Sequence, residues 1–334
     1  YGTEPFVKSS VPIPALANNV FISGNFAYVA ASGYISEGVL VPSSLYVIDI
    51  SDSENATMVA YCRFPGGVAR DVFVSGEYAY VAAAQIGLQV VYIGSVISDP
   101  PEVMELTVAG AYDTPFSAEG IYISGNYAYV ADGTCVSGLQ IINIAEPTAP
   151  VWVGEFTTNI DTHTGVSVVG DYAYVAARDA LLIIDVSNPA DPVLKGSYDT
   201  PGSAYRVAVK GGYAYVADFD EGLQVINVTD PANPSLAGSC DEISYANDVY
   251  VDGNYAYVAG SGPGFSIVDV SDPENPVLLS SCATLTGYGI HVSGQTAYMT
   301  TYSSLLIIDT TITPAIDPST PATTGALFLL LFGD

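Results

Sequence analysis

Apolar and polar residues alternate with a period of two in short runs that return along the whole chain. They read VFISGNFAYVA (20–30), VFVSGEYAYVA (72–82), IYISGNYAYVA (121–131), VSVVGDYAYVA (166–176), VAVKGGYAYVA (207–217), VYVDGNYAYVA (249–259) and IHVSGQTAYMT (290–300). Period-two alternation on either side of a glycine-bearing turn predicts a hairpin of two half-buried strands. Behind each hairpin comes a continuous apolar run: LYVIDI (45–50), LQVVYI (88–93), LQIINI (139–144), LLIIDV (181–186), LQVINV (223–228), FSIVDV (265–270) and LLIIDT (305–310). Such β-branched runs bounded by Gly, Asp and Pro predict a third strand buried on both faces. A proline-punctuated turn such as SNPADPVLKGSY (187–198) then leads into a fourth strand.

The tyrosines Tyr28, Tyr80, Tyr129, Tyr174, Tyr215, Tyr257 and Tyr298 mark the seven copies at spacings of 52, 49, 45, 41, 42 and 41 residues. Four antiparallel strands at that period form the blade of a β-propeller, so the chain is all-β and seven-bladed. At the amino terminus PFVKSSVPIPALANNV (5–20) matches PVLKGSYDTPGSAYRV (192–207) position for position. Residues 5–11 are therefore an outer strand without a blade, and the last repeat is a blade without an outer strand. Their pairing would complete blade 7 and remove both sheet edges at the seam. The propeller spans residues 1–310, followed by a Pro/Thr-rich linker (311–325) and an apolar terminal strand (326–334).

LLIIDVSNPADPVLKGSY (181–198) and FSIVDVSDPENPVLLSSC (265–282) resemble the LVIVD repeat, and the resemblance extends over residues 5–310. It implies a rigid, usually extracellular, seven-bladed scaffold of the bacterial or archaeal surface, with no agreed catalytic motif. Two stretches depart from the repeat, GSVISDPPEVME (94–105) and ASGYISEGVLVPSS (31–44), and such departures are where function is grafted onto a scaffold.

The chain holds 35 Asp and Glu against 7 Lys and Arg, a formal charge of −28. Scattered bases cannot supply a phosphate-binding stripe, which excludes nucleic acid and anionic membrane surfaces as partners. A start at Tyr1 fits a processed exported chain. The sequons at Asn55 and Asn227 are glycosylation candidates and point the same way, towards an extracellular or cell-surface location.

Strand polarity places the loops between second and third strands, and those leading into each first strand, on one face of the disc, termed the upper face. Asn18, Asn19, Arg70, Asp71, Glu119, His163, Tyr205, Arg206, Asn247, Asp248 and Tyr288 would ring the channel mouth there. Of these Arg70, Asp71, Glu119, His163, Tyr205, Arg206, Asp248 and Tyr288 are the candidate ligand-binding residues. The plainer reading of Arg70 and Arg206 is ion pairs that satisfy neighbouring acids. The acidic loop DFDEG (218–222) raises calcium as a candidate cation, against turn-forming aspartates bonded to nearby backbone. Asp49, Asp185, Asp269 and Asp309 recur at the end of the third strand and read as architecture. His163 and His291 lack partners at zinc spacing. No serine elbow, phosphate loop or zincin motif occurs, so no catalytic residue and no cofactor is assigned. Cys62, Cys240 and Cys282 occupy one repeat-equivalent slot, held elsewhere by Phe156 and Tyr198, which predicts buried free thiols, with Cys135 unpaired in its loop.

The tail ALFLLLF (326–332) is too short to span a membrane. Exposed, its Leu327, Phe328, Leu329, Leu330, Leu331 and Phe332 would be an aggregation hazard. The sequence therefore calls for a groove, either on the tail's own propeller or on a neighbouring copy by strand addition. The second option makes the chain a head-to-tail homo-oligomer and a non-enzymatic surface building block. The alternative is an adhesion module that grips a glycan, peptide or cation at the upper face.

Overall fold

The computed structural model describes residues 4–36, 39–96, 100, 102–133, 137–158 and 165–311. His163, Cys135 and the whole apolar tail with its six assembly candidates lie outside these residues. Among the described residues the strands form seven blades and one small hairpin, and no helix is long and apolar enough to cross a membrane.

The innermost strands are Leu16–Ser23, Asp71–Ser75, Ala118–Ser124, Gly165–Val169, Arg206–Lys210, Ala246–Asp252 and Ile290–Ser293, in blades 1 to 7. Within a blade successive strands are antiparallel neighbours. Two blades depart from the plain four-strand pattern. In blade 4 a single 14-residue run, Tyr172–Asp185, carries both the second and third strands. It turns at Arg178, whose φ is 45°, and Val186 N–H donates to Asp171 O at 2.8 Å beyond its ends. Blade 1 gains a fifth strand, because the 94–105 insert brings Met104–Glu105 back to lie parallel on the outer strand Thr57–Arg63. Arg63 clips it there through Glu105, with Nη1 and Oε1 2.8 Å apart.

The AYVA segments are buried on both faces because each blade is sandwiched between two others. Seven apolar clusters result, one per blade interface. Tyr28, Leu45 and Val47 of blade 1 meet Val72, Ala79 and Val81 of blade 2, and the same arrangement repeats around the ring. The cluster holding Val20, Ala27 and Tyr46 with Tyr298, Leu305 and Ile307 joins blade 1 to blade 7 and closes the circle.

Closure proceeds as the sequence match predicts. Phe6–Pro12 is the outer strand of blade 7, antiparallel to Ser304–Asp309, with Phe6 opposite Asp309 and Val11 opposite Leu305. Lys8 Nζ lies 2.9 Å from Asp309 Oδ2. Asp309 Oδ1 also accepts the Thr311 N–H at 2.8 Å, and these bonds pull its carboxyl down to about 2.

On the outer strands a repeated glycine has a steric reason. A Cβ on Gly196 would sit 2.3 Å from the Pro231 carbonyl oxygen of the next blade's turn, and Gly110 and Gly154 face Pro147 and Pro189 in the same way at 2.4 Å. The outer strands of blades 2, 3 and 4 are thus each pressed against the proline turn of the next blade.

Gly196→Ala should therefore destabilise the propeller by about 1–3 kcal/mol in urea unfolding, because the atom it meets is backbone and cannot rotate away. The depressed Asp309 carboxyl sets a pH window. Its contribution is fully present above about pH 4 and is lost as pH falls through about 2. The stability gap between wild type and Asp309→Asn should be full at pH 5 and should close on acidification through that window.

A candidate binding cup at the upper channel mouth

Each inner strand starts at the upper face, and alternate residues along it face the axis in layers. The uppermost layer is Asn19, Asp71, Gly120, Gly165, Arg206, Asp248 and Gly289, one residue per blade, with Glu119 one position earlier on its strand. Glycine is required twice, since a Cβ on Gly165 would meet Arg206 Cα at 2.7 Å and one on Gly289 would meet Asn19 Cα at 2.6 Å. The four polar members form one buried network, which Glu119 adjoins. Arg206 of blade 5 reaches across the axis to Asp71 of blade 2, with Nη1 2.6 Å from Oδ2. Asp71 also accepts the Asn19 amide at 2.7 Å and the Ile121 N–H at 3.0 Å. Asp248 accepts the backbone N–H groups of Val249 and Ile290 at 2.8 and 2.9 Å.

Burial pulls the Arg206 pKa down, but Asp71, Asp248 and Glu119 outweigh that and hold it above the usual guanidinium value. Burial raises the Asp248 carboxyl to about 6, with Arg206 pulling the other way. Since its folded pKa lies above the ordinary value, ionising Asp248 costs stability as pH rises from about 4 through about 6.

Arg70 does not pair with Asp71, its neighbour in sequence. Its Nε lies 3.1 Å from Glu119 Oε2, close enough for an ion pair although the N–H is not aimed at the oxygen. Glu119 Oε1 accepts the Ser117 hydroxyl at 2.6 Å. Asn18 donates its amide to Ser32 Oγ and to Ala69 O, and Asn247 donates to Gly287 O at 2.7 Å.

These residues enclose a cavity of about 640 Å³ lined by Asn18, Arg70, Glu119, Tyr205, Arg206, Phe219, Asn247, Ser261, Thr286 and Tyr288. Of the eight ligand-binding candidates, Arg70, Glu119, Tyr205, Arg206 and Tyr288 line it. Asp71 and Asp248 lie behind its wall as buried partners, and His163 falls outside the described residues. Sequence reasoning missed Phe219, Ser261 and Thr286. The signal for the first two was their place in second-to-third-strand loops of the same face. Phe219 packs between Tyr205 and Tyr245, tilted against the first and edge-on to the second, with ring centroids 5.0 and 5.1 Å away.

One layer down, aromatic rings from five blades line the axis. Phe73 contacts Phe21 and Tyr122 at 4.6 and 5.0 Å, and His291 contacts Phe21 and Tyr250 at 4.8 and 4.6 Å. Burial pushes the His291 imidazole down to about 4, so it packs there as a neutral ring. Ser167 and Ala208 hold the same layer in blades 4 and 5.

The remaining candidates sit elsewhere. Asp49, Asp185, Asp269 and Asp309 each accept the N–H two residues on, a turn cap that Asn143 and Asn227 reproduce. In DFDEG, Asp218 is buried and accepts from Gly202 N–H at 2.8 Å, a bond to the end of the strand Val193–Ala204 rather than to its own turn. No group of three or more metal-ligating side chains occurs among the described residues. Asn55 is exposed and donates to Asp52 at 2.8 Å, while Asn227 is half-buried. Cys62, Cys240 and Cys282 are free thiols opposite Leu45, Leu223 and Phe265, the same slot in three blades; Cys282 is only half-buried.

A family model described as LVIVD repeat matches residues 16–63, 66–114, 117–158, 163–200, 201–242 and 244–284. No curated protein matches the chain. Among solved structures it is similar to the β-propeller domain of Myceliophteria thermophila Cps50 (Swd1), at 12% identity and a TM-score of 0.69, covering 92% of this chain and 100% of that one. A chain of a mitotic checkpoint complex matches at 10% identity and a TM-score of 0.71, covering 91% of each. The computationally designed Ika8 protein matches at 8% and 0.62, covering 89% of this chain and 97% of that one. At these identities the likeness is one of fold alone.

Arg206→Met should cost about 3–5 kcal/mol in urea unfolding, because it leaves Asp71 buried without its cation. The double variant Arg206→Met/Asp71→Asn should recover a large part of that loss, and equal additive losses would show that the pair does not interact.

Proposed function

We propose that this chain, which belongs to the LVIVD-repeat family, is a non-enzymatic binding module of the extracellular space or cell surface that takes a ligand in the cup on its upper face. The observation that carries the reading is convergence. Side chains from well-separated repeats meet on one cavity of about 640 Å³, within the roughly 300–1,000 Å³ range of small-molecule sites. Its polar groups are held in place by bonds to the scaffold, which lowers the entropy cost of binding. The non-enzymatic part rests on the carboxylates, since Glu119, Asp71 and Asp248 are each committed to structural partners. The extracellular part rests on the base-poor composition and the exposed sequon at Asn55.

A second reading, self-assembly into a filament or layer, is favoured by the outer strands. Val151, Trp152, Val193, Leu194, Leu236 and Val277 are exposed there. Blade 1 already takes an added strand on that edge from Met104–Glu105. The segment ALFLLLF that would supply the strand lies outside the described residues.

Two experiments test these readings. In a thermal-shift screen of small polar molecules, compounds that raise the melting temperature of the wild type should fail on Tyr288→Ala and Arg70→Ala, both at the exposed rim; hits retained by both variants would overturn the cup. Mass photometry of the full chain should show oligomers that disappear when the chain ends at Thr311. Monomers in both preparations would overturn assembly.

A further inference from the structure

The cup is balanced in a way that selects among ligand classes. Three acids, Asp71, Glu119 and Asp248, stand against two guanidinium groups, Arg70 and Arg206, so the network is close to neutral and largely self-paired. An anion would meet the field of a chain carrying −28 and could not use the Glu119 carboxylate. A cation could not use Arg70, which brings N–H donors to the rim with 42% of its side chain exposed.

The amides add a second constraint. Asn18 spends both NH₂ hydrogens, on Ser32 Oγ and on Ala69 O, and Asn247 spends one of its two, on Gly287 O at 2.7 Å. What each offers the cavity is its acceptor oxygen, with one further N–H on Asn247. Acceptors from two amides beside donors from a guanidinium suit a group that gives and takes hydrogen bonds at once, which is the property of a hydroxyl. Tyr205, Phe219 and Tyr288 line the cavity, with Tyr245 packed against Phe219, so the cup has an aromatic wall for an apolar C–H surface. Below, aromatic rings from five blades line the axis, so the polar groups of the cup give way to an apolar layer on that side.

We propose that the cup binds a neutral saccharide, as a free mono- or disaccharide or as the terminal unit of a glycan, with hydroxyls bridging Asn18, Asn247 and Arg70 and one sugar face against the aromatic wall. This rests on the reading of the cup as a ligand site. The test is saturation-transfer NMR and calorimetry of the full chain with maltose, cellobiose, lactose and chitobiose, beside glucuronate as the anion and spermidine as the cation. At least one neutral disaccharide should bind, and Tyr288→Ala should weaken it by about tenfold, the size of one lost contact at a binding hot spot. Unchanged circular dichroism and melting temperature in that variant would exclude misfolding, and Arg70→Ala provides an independent rim variant. If glucuronate or spermidine binds in a manner sensitive to Tyr288→Ala while no sugar binds, the saccharide assignment is overturned and the cup survives as a site. If no probe binds, the saccharide assignment is overturned. If sugar binding ignores both variants, that assignment and the cup fall together.

Discussion

A propeller exists only as a closed ring, and in this chain closure is a strand pairing between the two ends of the described fold: Phe6–Pro12 against Ser304–Asp309. Without it blade 7 would end on a bare third strand, and blade 1 would meet an incomplete neighbour across the Tyr46–Leu305 cluster. The other six interfaces have the same construction but join blades that are adjacent in sequence. The seam alone must be held by contacts of the highest loop-closure cost. It carries an antiparallel pairing with one bulge at Lys8, the Lys8–Asp309 ion pair and the Ser9 hydroxyl bonded to Ser53 O in blade 1.

The cup depends on that closure, because its wall runs from Asn18 in blade 1 round to Tyr288 at the start of blade 7. It also depends on broken symmetry. A seven-fold ring of identical residues would give a featureless channel. Here the uppermost layer holds an amide and a glycine at the seam, acids in blades 2 and 6, glycines in blades 3 and 4, and one arginine in blade 5 that spans the axis. The Arg206–Asp71 bond pins blades that share no interface, so the network both braces the ring and shapes the floor of the cavity. Such a pair is worth little against a well-packed apolar alternative, and its value lies in fixing one arrangement of polar groups.

How much of this was legible in the sequence depended on whether the information repeated. The blade, its strand order, the third-strand aspartate caps and the cysteine slot could be read because each recurs at fixed offsets from AYVA. The closing strand could be read because residues 5–20 copy residues 192–207. Partner choice could not. Arg70 stands beside Asp71 in sequence yet pairs with Glu119, while Asp71 pairs with Arg206 135 residues away, because curvature round the axis decides which side chains converge. Phe219, Ser261 and Thr286 were missed for a related reason, since they sit in loops whose irregular lengths defeat alignment to the repeat. The added strand Met104–Glu105 was visible only as an insert, with nothing in its residues naming blade 1 as its destination.

The central claim is that the ring is closed in the register that sets Val11 opposite Leu305. Opposed antiparallel residues have Cα atoms about 4.5–5.5 Å apart, within the span of a disulfide. The direct measurement is mild oxidation of the double variant Val11→Cys/Leu305→Cys, with peptide mapping by mass spectrometry and a thermal melt of the oxidised and reduced forms. The account predicts an intramolecular disulfide between positions 11 and 305 in monomers and a higher melting temperature when oxidised, since the bridge closes nearly the whole chain and should contribute on the order of 5 kcal/mol. Bridges that form only between molecules, or none at all while the variant remains folded, would contradict it.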